Sequence, residues 1–141
     1  MKTTFVNSIL VFVLANLVAC DAGEPVAPEL AQLYGSWTWV KSFGGFSGQT
    51  RTPESTGETK TTKFLHNGIV QFYRNDTLVT QSRFGIAKES FPRSRAGITV
   101  EFYDMPSPSN IQFVSFRSPD TLILSDLCMD CYQHTYSRAA N

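Results

Sequence analysis

The sequence predicts an all-β protein: an eight-stranded up-and-down antiparallel β-barrel preceded by a short helical turn. Three observations carry this. Beyond Gly35, eight stretches rich in β-branched and aromatic residues follow one another with turn-forming residues between them and no helical periodicity. Most of their connections are short, which forces neighbours to run antiparallel, because a parallel crossover needs a dozen residues or more. Aromatic residues make up 13% of the 141 residues and charged ones only 17%, a balance that suits a packed β protein rather than a disordered or coiled-coil one. A closed barrel leaves no exposed edge, and eight strands enclose either packed side chains or one small ligand.

Residues 1–19, MKTTFVNSILVFVLANLVA, hold Lys2 and then an apolar run from Phe5 to Ala19 broken by Asn7, Ser8 and Asn16. The run is short for a membrane span, which needs about 20 apolar residues, and fits the apolar centre of an export signal. Residues 20–28, CDAGEPVAP, contain a glycine, two prolines and no apolar residue larger than valine, the composition of a tether. Residues 29–141 are then a single domain, long enough for one core. At its start, PELAQLYG places Pro28 where a helix begins, Glu29 in the first turn, Leu30 and Leu33 three apart and Gly35 as a stop.

The eight strands are read at residues 36–43, 59–66, 69–74, 77–87, 97–104, 110–117, 121–126 and 131–138. Asn67-Gly68 is the strongest hairpin signal among the connections; Asn75-Asp76, the MPSPSN stretch and Ser118-Pro119-Asp120 are good turn formers.

Gly35-Ser36-Trp37, after a helical turn and at the mouth of the first strand, resembles the Gly-x-Trp signature of the lipocalins and their wider calycin relatives. The resemblance implies that Trp37 plugs the closed base of the barrel and that Arg138, in TYSR at the end of the last strand, packs across its indole. Such stacking has a physical basis, since a guanidinium over an indole face gains roughly 0.5 to 2 kcal/mol. LVAC at residues 17–20 resembles the bacterial lipoprotein box, which implies that Cys20 is lipidated and becomes the mature N-terminus. An ordinary cleaved signal with a chance cysteine is the alternative. Acyl chains there would hold the protein on a membrane surface without spanning it. The order LYGSWTWVKSFGGFSGQTRTPESTG, FLHNG and DTLILSD is similar to lipocalin-like lipoproteins of the Bacteroidetes over residues 33–138. The implied location is the bacterial cell envelope, lipid-anchored, the outer membrane ahead of the inner. The chain is shorter than a typical lipocalin, and nothing resembles the helix those proteins add after the eighth strand.

Residues 44–58, GGFSGQTRTPESTGE, form the longest loop and stand where lipocalins carry a lid. As a lid the segment would fold Phe46 into the mouth; as a connector its glycines would merely permit a wide turn. Alternation puts Trp37 with Trp39 on one face and Ile98, Val100 and Phe102 on another, while residues 111–116 are apolar on both faces. Candidate ligand-binding residues are Trp39, Phe64, Phe72, Phe84, Phe102 and Phe113, against the plain alternative that all six fill the core. Cys128 and Cys131 bracket a turn, where oxidation would make a disulfide staple; a redox pair, or a zinc site completed by His134 and His66, are the other readings.

Twelve basic and twelve acidic residues cancel, which gives no electrostatic case for nucleic acid. The sequence holds no nucleophile elbow, P-loop, zinc-protease helix or dinucleotide fingerprint, and Glu54 and Glu58 lie in a loop that puts them on no common face. The expectation is therefore a protein that is not an enzyme and uses no cofactor or metal. Two functions fit: an envelope barrel that holds a small apolar ligand or lipid by area burial, or a packed barrel whose surface meets a protein partner that the sequence does not identify.

Overall fold

The structure is a computed structural model that describes residues 27–87, 97–107 and 109–140. The expected export signal, Cys20 and most of the expected tether lie outside the described residues.

Helix α1 (Pro28–Leu33) leads into β1 (Gly35–Gly44). A short hairpin to β2 (Gln49–Arg51) and one turn of helix, α2 (Pro53–Thr56), precede β3 (Lys60–Phe64), β4 (Ile69–Arg74), β5 (Thr77–Ile86), β6 (Ile98–Phe102), β7 (Ile111–Ser118), β8 (Thr121–Asp126) and β9 (Tyr132–Arg138). Every strand pairs antiparallel with its neighbour in the order β1-β3-β4-β5-β6-β7-β8-β9, and β9 returns to pair with β1. Eight strands thus close a barrel, and the strands at 69–74 and 121–126 have the bounds expected from the sequence. β2 adds a flap on the far end of β1, where Ser42, Phe43 and Gly44 face Arg51, Thr50 and Gln49.

Turn chemistry sets the register. Asn75 and Asp76 both take positive φ, 48° and 62°, the two-residue geometry whose twist matches the flanking strands of a hairpin. At the other end, Gly68 has φ 78° and the Asn67 side chain accepts the Ile69 N–H at 3.2 Å, which fixes the β3–β4 turn. In the β1–β3 connection, Thr52 and Ser55 exchange side-chain and backbone hydrogen bonds and Pro53 opens α2, a capping box carried by Thr52-Pro53-Glu54-Ser55. The sequence predicts only loop here, and these capping bonds make a helical turn of it.

The core is the barrel interior. Trp37, Trp39, Phe64, Val70, Phe84, Val100, Phe102, Val114, Leu122, Leu124 and Tyr136 form one buried cluster with Leu33 of α1, and Phe72 and Phe116 pack against it.

Candidate functional site

The barrel has a sealed end and an open one. At the sealed end Trp37 is fully buried and its indole N–H donates to the Leu33 carbonyl at 2.8 Å, so α1 is stitched across the base. The Arg138 guanidinium lies 4.2 Å from the Trp37 ring and donates to the carbonyls of Tyr34 (3.3 Å), Gln32 (3.1 Å) and Pro119 (3.2 Å). A delocalised cation suits that place because it covers an aromatic face while its edge satisfies carbonyls. Gly35 is held at φ 119° beside this guanidinium, where a side chain would press on Arg138 Nη1.

Above the base, phenylalanines fill the lumen. Phe64 meets Phe84 edge-on at 5.2 Å between ring centroids, Phe102 at 6.5 Å, and Phe72 meets Phe102 edge-on at 5.8 Å. These are ordinary packing distances for aromatic pairs; outside them, beside α1, a shallow hollow of about 160 Å³ is lined by Glu29, Gln32, Gly97 and Phe116.

Toward the mouth the interior turns polar, and a β-bulge is the reason. Trp37 and Trp39 point inward in alternation, but the pairing of β1 with β9 shifts between Trp39 and Lys41. One extra residue reverses the faces beyond it. Ser42 therefore turns inward and is buried, while Lys41 and Phe43 are exposed. Ser42 Oγ accepts the Trp39 indole N–H at 2.8 Å and stands 2.6 Å from His134 Nδ1 on β9. On the other side of the ring, His134 Nε2 is 3.4 Å from Asp126 Oδ2, and the Gln112 amide donates to Asp126 Oδ1. Burial alone would raise the Asp126 carboxyl, yet the hydrogen bonds from His134 and Gln112, the His134 charge and the Tyr132 N–H outweigh it and hold its pKa below the ordinary value. Burial also pushes the Tyr136 phenol up to about 12, against a hydrogen bond with Thr62 and with help from the Asp126 charge.

Two hollows open at this end. One, of about 230 Å³, runs between β3, β4 and β5 and is lined by Thr62, Phe72, Tyr73, Val79, Met105 and Tyr136 among others. The second, about 70 Å³, has Trp39, Ser42 and His134 in its walls with Tyr132, Arg51 and Lys60. Both cations lie over aromatic rings of that wall, Lys60 Nζ 4.6 Å from the Trp39 ring and Arg51 Cζ 5.1 Å from the Tyr132 ring. Glu58 approaches Lys60 at 3.6 Å and Arg74 at 3.7 Å.

Of the six candidate ligand-binding residues, Trp39, Phe64, Phe72, Phe84 and Phe102 belong to or pack on the core cluster, and of these Phe72 lines the larger hollow. Phe113 is a correction. Its neighbour Val114 pairs with Leu124 inside the barrel, so Phe113, opposite Thr99 and Ser125, is on the outer face. It is buried there, with its ring against Gly97, where any added side chain would strike it. Phe46 also departs from a place in the mouth. It is 96% exposed at the tip of the β1–β2 hairpin, which the Gly48 N–H to Gly45 carbonyl bond closes at 3.0 Å. Cys128 and Cys131 are joined in a disulfide across the β8–β9 turn. His134 turns away from those sulfurs into the barrel, and His66 stacks near Tyr34, 4.1 Å between ring centroids. Among the described residues no group of three His, Cys, Asp or Glu side chains could hold a metal ion.

Ser42, Gln112, Asp126 and the inward role of His134 were missed. Ser42 and His134 are 92 positions apart, so no spacing links them. What could have found Gln112, Asp126 and His134 was the polar break in apolar alternation near the mouth ends of β7, β8 and β9. Comparison of the chain with protein families, with curated proteins and with solved structures returned no match.

Proposed function

We propose that the protein is a lipid-anchored barrel of the bacterial envelope that binds a small, largely apolar molecule or one lipid chain at its open mouth. The observation that carries this reading is the hollow of about 230 Å³ lined by Phe72, Val79, Met105 and Tyr136. It is smaller than the roughly 300 to 1,000 Å³ of drug-sized sites, which suits a short ligand or one end of a longer one. Burial of apolar area at about 25 cal/mol per Å² would supply the affinity. The lipocalin-like signature at Gly35-Ser36-Trp37 and the lipobox ending at Cys20 support the class and the anchor.

The test is titration with a neutral apolar fluorophore such as N-phenyl-1-naphthylamine. Saturable one-to-one binding that drops at least about tenfold in Thr80→Trp, a change that fills the hollow from β5, is the expected result. Absence of saturable binding overturns it. Mass analysis of the mature protein tests the anchor, with Cys20 carrying a diacylglycerol mass and Cys20→Ala releasing the protein from membranes.

A second reading, a filled barrel that meets an envelope protein, is favoured by the contacts among Phe64, Phe72, Phe84 and Phe102 and by the exposed Phe43, Phe46 and Met129 beside the mouth. Wild-type protein without fluorophore binding, and with a partner cross-linked through Phe46 or Met129 replaced by a photoreactive residue, would establish it instead.

A further inference from the structure

Ser42, His134 and Asp126 come from three different strand segments and meet in one line at the mouth, with a hydrogen bond of 2.6 Å between Ser42 Oγ and His134 Nδ1 and an ion-pair contact of 3.4 Å between His134 Nε2 and Asp126 Oδ2. We propose that Ser42 is a nucleophile served by this line, and that the smaller hollow accepts the acyl group of short-chain esters. The inference goes beyond the binding reading and stands on other residues.

The placement of the two ring nitrogens carries it. Asp126 also holds the Gln112 amide and, ionised, only accepts, so the nitrogen facing it, Nε2, bears the imidazole proton. In the neutral ring Nδ1 is then the bare nitrogen. Ser42 Oγ accepts from the Trp39 indole, and in that tautomer its own hydrogen is the one donated to Nδ1 across 2.6 Å. A base aimed at a hydroxyl and oriented by a half-buried carboxylate is the arrangement that activates serine, here with the two ring nitrogens exchanged relative to the serine proteases. A relay that only packed the interior would have no need of an opening. This one opens at the Ser42–His134 bond into the hollow of about 70 Å³, whose wall also carries Arg51 and Lys60. At about 30 Å³ per liquid water, that space is the size of an acetyl or propionyl group. Arg51 and Lys60, the latter also 3.6 Å from Glu58, are the positive charges on that wall that a tetrahedral oxyanion could meet.

The chemistry balances without oxidant or metal. Ser42 Oγ bonds to the ester carbonyl carbon while its proton passes to Nδ1 of His134. The intermediate collapses, the carbon–oxygen bond to the alcohol breaks, and the Nδ1 proton leaves on the alcohol oxygen. Water then attacks the acyl-serine, gives a proton to Nδ1, and the second collapse returns that proton to Ser42 Oγ and releases the carboxylic acid.

The test uses the full-length wild-type protein with a fluorophosphonate probe and with p-nitrophenyl acetate. Peptide mass mapping is expected to place a single phosphonyl adduct on Ser42 in native protein and none in protein held in urea. Hydrolysis of the acetate should fall at least about 100-fold in His134→Gln and to background in Ser42→Ala, with near-ultraviolet circular dichroism reporting that each variant keeps its packed core. Butyrate and longer esters should react more slowly than acetate. An unlabelled native wild type, or an adduct and acetate turnover that persist in folded Ser42→Ala, overturns the proposal. Because the first readout needs no variant, loss of folding in a mutant cannot shield it. Fluorophore binding at the larger hollow is measured separately, so either reading can fail alone.

Discussion

Trp37 and Arg138 show how much one residue can secure when its partners are all local carbonyls and one ring. The indole is fully buried and stitched to Leu33, so Trp37→Ala removes a large core side chain and is expected to cost about 3 to 5 kcal/mol in urea unfolding. Arg138→Ala, which strips the ring of its cover and frees three carbonyls near the surface, should cost about 1 to 3 kcal/mol. Asp126 makes a prediction with a sign. Its folded pKa lies below the ordinary carboxylate value, so its contribution is present above the unfolded value of about 3.9 and is lost as pH falls through the folded one. The stability gap between wild type and Asp126→Asn, followed by urea midpoints, should therefore be full near neutrality and close below about pH 4. Tyr136 behaves oppositely. With its phenol raised to about 12, one of the five tyrosines should ionise late in an ultraviolet titration, and the stability tied to its neutral form should fade between about pH 10 and 12.

Elements differ in how openly the sequence announces them. The strands at 69–74 and 121–126 are bounded by hairpin turns with plain residue signals, and those bounds hold in the structure. The β1–β2 hairpin and α2 were hidden in a glycine-rich stretch, although Thr52-Pro53-Glu54-Ser55 spells a helix cap. The bulge in β1 has no such signal: Val40 and Lys41 look like any two strand residues, and only the pairing with β9 shows that the inward face changes there. That single slip hides Ser42, and with it most of the polar mouth. Phe113 was misplaced for a related reason, since a strand apolar on both faces gives alternation nothing to choose between. At this scale Gly44 is the sensitive position. It takes φ 140°, and a side chain there would collide with the Cys131 carbonyl oxygen, so Gly44→Ala should unfasten the β1–β9 pairing near the mouth and cost about 2 to 4 kcal/mol. Replacing both Cys128 and Cys131 with serine should cost no more than about 2 kcal/mol, because the loop they close is very short. Thermal unfolding of the two variants side by side checks the ranking.

For the whole molecule, closure of β9 on β1 was legible because eight strand-like runs with short links leave few other ways to hide two edges. The division of the interior was not legible, since aromatic residues that fill a lumen and aromatic residues that line a cavity are chosen from the same set. The structure has both, a packed lower half around Phe64, Phe84 and Phe102 and a hollowed mouth around Ser42 and Phe72.

The stitching of Leu33 to Trp37 and of Gln32 to Arg138 has an architectural consequence. Both the strand that enters the barrel and the strand that completes it are pinned to the plugged pole, so cargo fused ahead of α1 or behind β9 leaves from one side of the molecule. The polar vestibule lies at the opposite pole.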